Sequence, residues 1–349
     1  MKVCFYRYSL RNRGGDRAVI EYANHLAQSG YEVTFCLNVL DTVFSLEPAI
    51  RLEYIKIPTP IGTILSGAIR KLPYDIVFVD IIHLAIPLGL RNTVVYLAQA
   101  YDALYYETPV QQAAIDLLYK IYFSRRGAFS ISISSVLTDI LKEKFGTVKN
   151  IDDKLKTVVL GIDHQRFYPE ANDALIRGKQ GRSAIVVLSR GDTFRKGFDI
   201  TTAVLNETAG ELKDKAEVWV CGDAVEFHLK TKHLGRPGDD ELRRILSSAD
   251  ILLYPSRHEG FGLFPLEAMA CGLVVLTTGT VPYVKDGYNA FVTRPNVEDV
   301  KKTLLNALQD DELRKSIREN GFTTAKSYDI MKSKQEFEGI IRTVTQIYL

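Results

Sequence analysis

The sequence predicts an α/β protein made of two Rossmann-like, doubly wound domains facing each other across a cleft. Three observations carry that expectation. Short apolar runs alternate with stretches of helical spacing from one end of the chain to the other, the pattern of parallel sheets covered by helices on both faces. The 349 residues exceed one ordinary domain and suit roughly two of 150 to 180 residues. The pattern then restarts after a polar stretch, Pro169 to Arg182, which reads as a linker.

Taken in order, Val3 to Tyr8 is a strand candidate, Gly14-Gly15 a turn, Arg17 to Ser29 a helix ended by Gly30, and Glu32 to Leu37 the next strand. Together they form one βαβ unit. Further strands are expected at Ile76 to Val79, Thr93 to Leu97, Ser130 to Ser134 and Lys156 to Leu160. Beyond the polar stretch come strands at Ala184 to Leu188, Glu217 to Cys221, Asp250 to Tyr254 and Leu273 to Thr277, with helices at Phe198 to Thr208, Asp239 to Ser248 and Pro265 to Cys271. In such sheets ligands sit beyond the carboxyl ends of the strands, so chemistry is sought in the turns that follow them.

Composition narrows the function. A chain 46% hydrophobic and 25% charged is globular, and a net charge of +2 is too mild for nucleic acid, though it leaves room for weak attraction to an anionic membrane. Cys4, Cys36, Cys221 and Cys271 lie in or beside apolar runs without a C-x-x-C pair, as buried reduced thiols of a cytoplasmic protein do. Met1 to Arg13 is too basic for the apolar core of a signal peptide. Ile76 to Leu90, broken by Asp80 and His83, is shorter than the roughly 20 residues that span a bilayer. The expected location is inside the cell, with at most peripheral contact with the inner face of the membrane.

The most informative segment runs from Tyr254 to Gly272, Y-P-S-R-H-E-G-F-G-L-F-P-L-E-A-M-A-C-G. A strand empties into a glycine-bearing turn and a helix begins near Pro265, which brings Glu259 and Glu267 toward one strand end. Gly260 and Gly262 let the backbone approach a ligand, and Pro265 suits a first helical turn. Glu267, within that turn, is held ionised near the positive helix end. Free N–H groups there suit a phosphate and the carboxylates suit hydroxyls, a combination that fits a nucleotide sugar. The plainer alternative is a βα loop in which Glu267 only complements the dipole. His258 adjoins Glu259 and is a further contact candidate.

A second constellation, Ser189 to Gly197, also lies between a strand and a helix. Two carboxylates near a diphosphate need cations to reverse the local sign, and Arg190 and Lys196 are the best suppliers. No histidine has metal-ligand spacing and no Asp-x-Asp occurs, so nothing points to a divalent metal, and no cofactor is expected. Gly14-Gly15 lacks the G-x-G-x-x-G order of a dinucleotide site, yet would let a phosphate or an acceptor hydroxyl come close, with Asp16 and Arg17 beside it. After the strand near Thr93 to Leu97, Gln99, Tyr101 and Asp102 are candidates to meet sugar hydroxyls, or else belong to a loop packed by its aromatics. Leu117 to Arg126 mixes Leu118, Ile121, Tyr122 and Phe123 with Lys120, Arg125 and Arg126. It reads as a helix packed on the sheet, or one resting on a membrane or lipid-linked acceptor.

On these residues the chain resembles the retaining glycosyltransferases of the GT4 family, which have the GT-B fold. The likeness is strongest from Ala184 to about Thr293, and looser over the rest, including Gly161-Ile162-Asp163 with Phe167 and Pro169. The family's E-x7-E motif matches Glu259 and Glu267, and its phosphate-binding cations match Arg190 and Lys196. The resemblance implies a metal-independent hexosyltransferase with a nucleotide-sugar donor, a UDP-sugar favoured over a GDP-sugar. The acceptor is a saccharide or a lipid-linked molecule, and the pathway builds polysaccharide or cell-envelope glycan. It implies that Glu267 binds ribose, Glu259 the donor sugar, the N–H groups among Gly260, Phe261, Gly262, Leu263 and Phe264 the sugar or phosphate, and Leu234-Gly235 the base. Arg190 and Lys196 would stabilise the departing diphosphate. It further implies an acceptor-binding domain over 1–168, a donor-binding domain over 169–334, and a final helix over 335–349 crossing back. Where many members carry His after the strand ending at Leu97, this sequence has Gln99. The same fold hosts nucleotide-sugar epimerases, and a sugar-nucleotide binding subunit without catalysis is a third reading.

Overall fold

The structure, a computed structural model, describes residues 1–69, 71–189 and 193–348. The chain divides into two units, Met1–Leu160 together with Met331–Leu349, and Gly161–Ile330. In the first, β1 (Lys2–Tyr6), β2 (Ser9–Arg11), α1 (Gly14–Gln28), β3 (Glu32–Leu37), β4 (Val39–Asp41), β5 (Arg51–Tyr54), α2 (Pro60–Ala68), β6 (Ile76–Val79), α3 (Ile82–Leu88) and β7 (Val94–Ala98) follow one another. A 3-10 turn (Asp102–Tyr105), α4 (Pro109–Ser124), β8 (Phe129–Ser132), α5 (Ser135–Phe145), α6 (Ile151–Lys154) and β9 (Leu155–Thr157) complete it. Seven strands pair in parallel in the order β5-β3-β1-β6-β7-β8-β9, and β2 and β4 form a separate small pair. β1, β6 and β7 are mostly apolar because both faces of a parallel sheet are covered, while β8 alternates Phe129 and Ile131 with buried Ser130 and Ser132. Phe5 stacks on Phe78 at 4.8 Å and leans on Phe35 at 5.2 Å.

Connection direction places the helices. From β1 the chain steps to β3 one way, whereas the links from β5 to β6 and on to β7, β8 and β9 step the other way. Right-handed crossovers therefore set α1 on one face and α2, α3, α4 and α5 on the opposite one.

The second unit comprises α7 (Asp173–Gly178), β10 (Ser183–Ser189), α8 (Phe198–Glu207), α9 (Ala209–Leu212), β11 (Ala216–Gly222), β12 (Thr231–Gly235), α10 (Asp239–Ser248), β13 (Ile251–Tyr254), α11 (Leu263–Ala270), β14 (Val274–Thr278), β15 (Phe291–Thr293), α12 (Val297–Gln309) and α13 (Asp311–Lys326). Its six parallel strands run β12-β11-β10-β13-β14-β15. Alternate residues Ile185, Val187, Val218, Val220, Ile251, Leu253, Val274 and Leu276 share one face and pack with Val204 of α8 and Val300 and Leu304 of α12. The last helix, α14, spans Ile330–Tyr348. In the first unit its Phe337 stacks on Tyr22 of α1 at 4.1 Å, and Lys334 pairs with Glu21 at 2.6 Å.

Three expectations change. Gly14-Gly15 is not a turn but the first two residues of α1, with Arg13 as an extended N-cap residue. The break between units falls at Leu160/Gly161 rather than 168/169, because Ile162 bridges to Asp329 and stays with the second unit. The polar stretch from Pro169 to Arg182 is no free linker. It contains α7, and Glu170 and Asn172 donate backbone N–H groups to Ser247 and Ser248 of α10 at 2.9 and 2.8 Å, while Arg243 bonds the Glu170 carboxylate at 2.7 Å.

Candidate active site

In the second unit the strand order reverses between β10 and β13, which opens a crevice at their carboxyl ends. The loops leaving these strands are stitched together. Arg257 donates its backbone N–H to the Arg195 carbonyl at 2.8 Å, and its guanidinium grips both oxygens of Asp199 at 2.7 Å. Gly197, at φ +68, precedes α8 and lies so close to the Pro255 carbonyl that a Cβ has no room. Thr277 and Thr278 donate to the carbonyls of Tyr254 and Ser256 at 2.7 and 2.6 Å, which ties the second loop to β14.

On this platform Lys196 Nζ meets Glu259 Oε1 at 2.6 Å, and the Tyr254 hydroxyl donates to the same oxygen at 2.8 Å. The Glu259 side chain is 6% exposed. Burial pushes its pKa up, but the Lys196 charge and the hydrogen bonds from Lys196, Ser256 and Tyr254 outweigh burial and hold it below the ordinary carboxylate value. Gly262 takes φ +87 as the residue before α11, and Tyr283 donates its hydroxyl to the Gly262 carbonyl. The first N–H groups of α11 have no acceptor within the helix, so they form an electropositive end beside Gly260 to Leu263. Burial raises the Tyr283 pKa, and the charges of Glu259 and Glu267 add to the rise.

Glu267 departs from its expected setting. α11 starts at Leu263, two residues before Pro265, so Glu267 occupies the second turn and is buried. Leu234 and Gly235 close β12, the edge strand. His258 is half-buried, and its carbonyl accepts from Ser256 Oγ at 3.2 Å. Arg190 lies outside the described residues.

The first unit has its own reversal point, between β1 and β6. There the sequence reading missed a cluster: Arg7 Nη2 bridges Asp16 at 2.5 Å and Asp80 at 2.9 Å. An arginine ending an apolar strand was the signal available. Asp16 is buried, and desolvation raises its pKa despite the guanidinium beside it. Gln99 lies directly over Gly15 and donates to Asp80 at 3.4 Å. Arg17 covers the Phe44 ring at 4.6 Å. Tyr101 and Asp102 do not serve as exposed ligands. Tyr101 bonds Asp116, and Asp102, 7% exposed, accepts from the Ile82 N–H at 2.8 Å. Burial pushes the Asp102 pKa up to about 7.

Residues 177–324, nearly all of the second unit, match the family model described as Glycosyl transferases group 1. Over that stretch the chain is similar to the group 1 glycosyl transferases. A relative described as an uncharacterized glycosyltransferase of Methanocaldococcus jannaschii is 35% identical over 123 residues, 34% of this chain and 34% of that protein. The match therefore spans about a third of the relative's length. Among solved structures, sucrose-phosphate synthase from Thermosynechococcus elongatus superposes with TM-score 0.80 at 14% identity, covering 99% of this chain and 100% of that one. An Anabaena protein in complex with UDP-glucose gives TM-score 0.75 at 16% identity, covering 98% of this chain and 100% of that one. The chain thus has the GT-B fold.

Proposed function

We propose that the protein transfers a hexosyl group from a nucleotide sugar, UDP-sugar before GDP-sugar, to a saccharide or lipid-linked acceptor, and serves polysaccharide or cell-envelope glycan synthesis. The observation that carries this reading is the Lys196–Glu259 pair beside the N-terminal end of α11. An ammonium has three donors, so Lys196 serves Glu259 and a donor phosphate together. Glu259 then accepts from hydroxyls of the sugar, Glu267 from ribose, and the α11 N–H groups meet the diphosphate.

In the proposed step the bond from C1 of the sugar to the diphosphate oxygen breaks and a bond from C1 to the acceptor oxygen forms on the same face. The acceptor proton passes to the departing phosphate, the anomeric configuration is retained, and no metal takes part. Charge growing on the diphosphate is met by Lys196 and the helix end, with Arg190 assigned the same task from the sequence. The Anabaena structure with UDP-glucose supports the choice of donor.

A panel of UDP-, GDP-, dTDP- and ADP-sugars tests the reading. Acceptor-dependent release of nucleoside diphosphate that persists in chelator, with the product anomer assigned by NMR, is the expected result. Conversion of the donor sugar without release points to an isomerase and overturns the proposal.

A further inference from the structure

We infer that the α2–α3–α4 face of the first unit is a docking surface for an anionic lipid bilayer. This goes beyond the proposed transfer reaction and rests on different residues. The three helices lie side by side: Gly67 of α2 sits so close to Leu88 of α3 that an added Cβ would meet Leu88 Cδ1 at 2.6 Å, and Arg125 at the end of α4 donates to the Ile86 carbonyl of α3 at 3.0 Å. Of α2, the small residues Gly62, Thr63 and Gly67 face inward. Ile57, Ile61, Leu65 and Ile69, spaced four apart along and beside the helix, are 56, 71, 48 and 69% exposed. Side chains four apart share one helix face.

α4 is divided in the same way. Ile115, Tyr119, Tyr122 and Phe123 are buried, while Val110, Leu117 and Ile121 are exposed, as is Leu90 after α3. Isolated exposed hydrophobes need no explanation, but two stripes on one layer do.

Charge decides the occupant. Among the described residues from Ile55 to Arg126, the exposed charges are Lys56, Lys71, Arg91, Lys120 and Arg126 against Glu107 alone. The remaining acids are turned to partners inside the unit: Asp75 accepts from the Lys2 N–H, Asp80 pairs with Arg7, Asp102 accepts from Ile82, and Asp116 accepts from Tyr101. Apolar stripes rimmed by cations fit an interface whose interior is acyl chain and whose surface is anionic. A second copy of the chain meeting this face through a two-fold axis would set lysine and arginine against lysine and arginine, which disfavours it.

Flotation with vesicles of phosphatidylcholine, alone or mixed with phosphatidylglycerol, tests the inference without donor or acceptor, so its outcome is independent of the transfer reaction. The full chain is expected to float with the mixed vesicles, and less as salt rises. Lys120→Ala and Arg126→Ala should each weaken binding by about fivefold. Ile61→Ser with Leu65→Ser should abolish it while the melting temperature stays unchanged, since these side chains are solvent-facing. A protein that remains in solution with both vesicle types overturns the inference. So does a dimer that Ile61→Ser with Leu65→Ser turns into monomer, because the face would then belong to a second copy.

Discussion

Lys196 Nζ lies 2.6 Å from Glu259 Oε1, an oxygen that also accepts the Tyr254 hydroxyl. Sixty-three residues of sequence separate the two charges. They meet because the Gly197 and Pro255 backbones touch and Arg257 clamps Asp199. The proposed phosphate cation is thus held by a carboxylate whose own burial demands a partner. Removing either charge affects ligand contact and local electrostatics together.

Lys196→Ala is expected to lower turnover by about a hundredfold or more, the scale of deleting one donor to a developing anion. Retention of turnover within about threefold would remove the residue from the catalytic scheme. Glu259 has a lowered folded pKa, so its pair with Lys196 stabilises above the ordinary carboxylate pKa, and that contribution is lost as pH falls through the lowered value. The gap in melting temperature between wild type and Lys196→Ala should therefore narrow below about pH 4.

Asp102→Asn tests a buried carboxyl in the opposite sense. Burial raises its pKa to about 7, with Asp80 adding to the rise and the Ile82 N–H opposing it. Above about pH 4 the unfolded chain ionises this group while the folded chain keeps its proton. Folded protein then binds more protons, so stability falls with rising pH until Asp102 itself ionises. The melting temperature of Asp102→Asn relative to wild type should climb between about pH 4 and pH 7 and then level. A constant cost of the carboxamide displaces that curve without changing its slope, and a flat difference contradicts the assignment.

Glu32–Leu37, Ile76–Val79 and Asp239–Ser248 fall where the sequence placed them, because each is an uninterrupted apolar or amphipathic run bounded by polar or turn residues. Local boundaries shifted where backbone chemistry was ambiguous. Gly14-Gly15 reads as a turn by propensity, yet Asp16 bonds the Arg11 N–H in the first turn of α1 and the helix absorbs both glycines. At Leu263 the helix starts early because Gly262, at φ +87, already turns the chain. The E-x7-E spacing was legible as a motif, but its depth of burial was not. Arg7 at the end of an apolar strand was a legible signal, but its pairing with Asp80 was not, because strand order, not spacing, brings position 80 beside position 7.

Gly15→Ala asks whether the first unit's strand ends take part. An alanine Cβ would collide with the carboxamide end of Gln99, a movable group, so Gln99 swings off Asp80 at little cost. Alanine also gains about 1 kcal/mol of helix propensity over glycine. Melting temperature should hold or rise while turnover falls, and Gln99→Ala should reproduce the fall. Normal turnover in both variants would show that the Gln99–Asp80 contact has no part in substrate recognition.

Glu267→Gln separates nucleotide binding from chemistry. The side chain is buried in the second turn of α11, and glutamine fits the same volume, so the fold should persist. If the carboxylate accepts from ribose, its neutral replacement loses a charge-assisted hydrogen bond, and affinity for UDP should fall by about tenfold. The same loss should vanish for 2′,3′-dideoxy-UDP, which offers no ribose hydroxyl there. Calorimetry giving equal UDP affinity for both proteins contradicts the ribose role. Equal losses for UDP and its dideoxy form would mean that Glu267 acts by shaping α11 around Tyr283 instead.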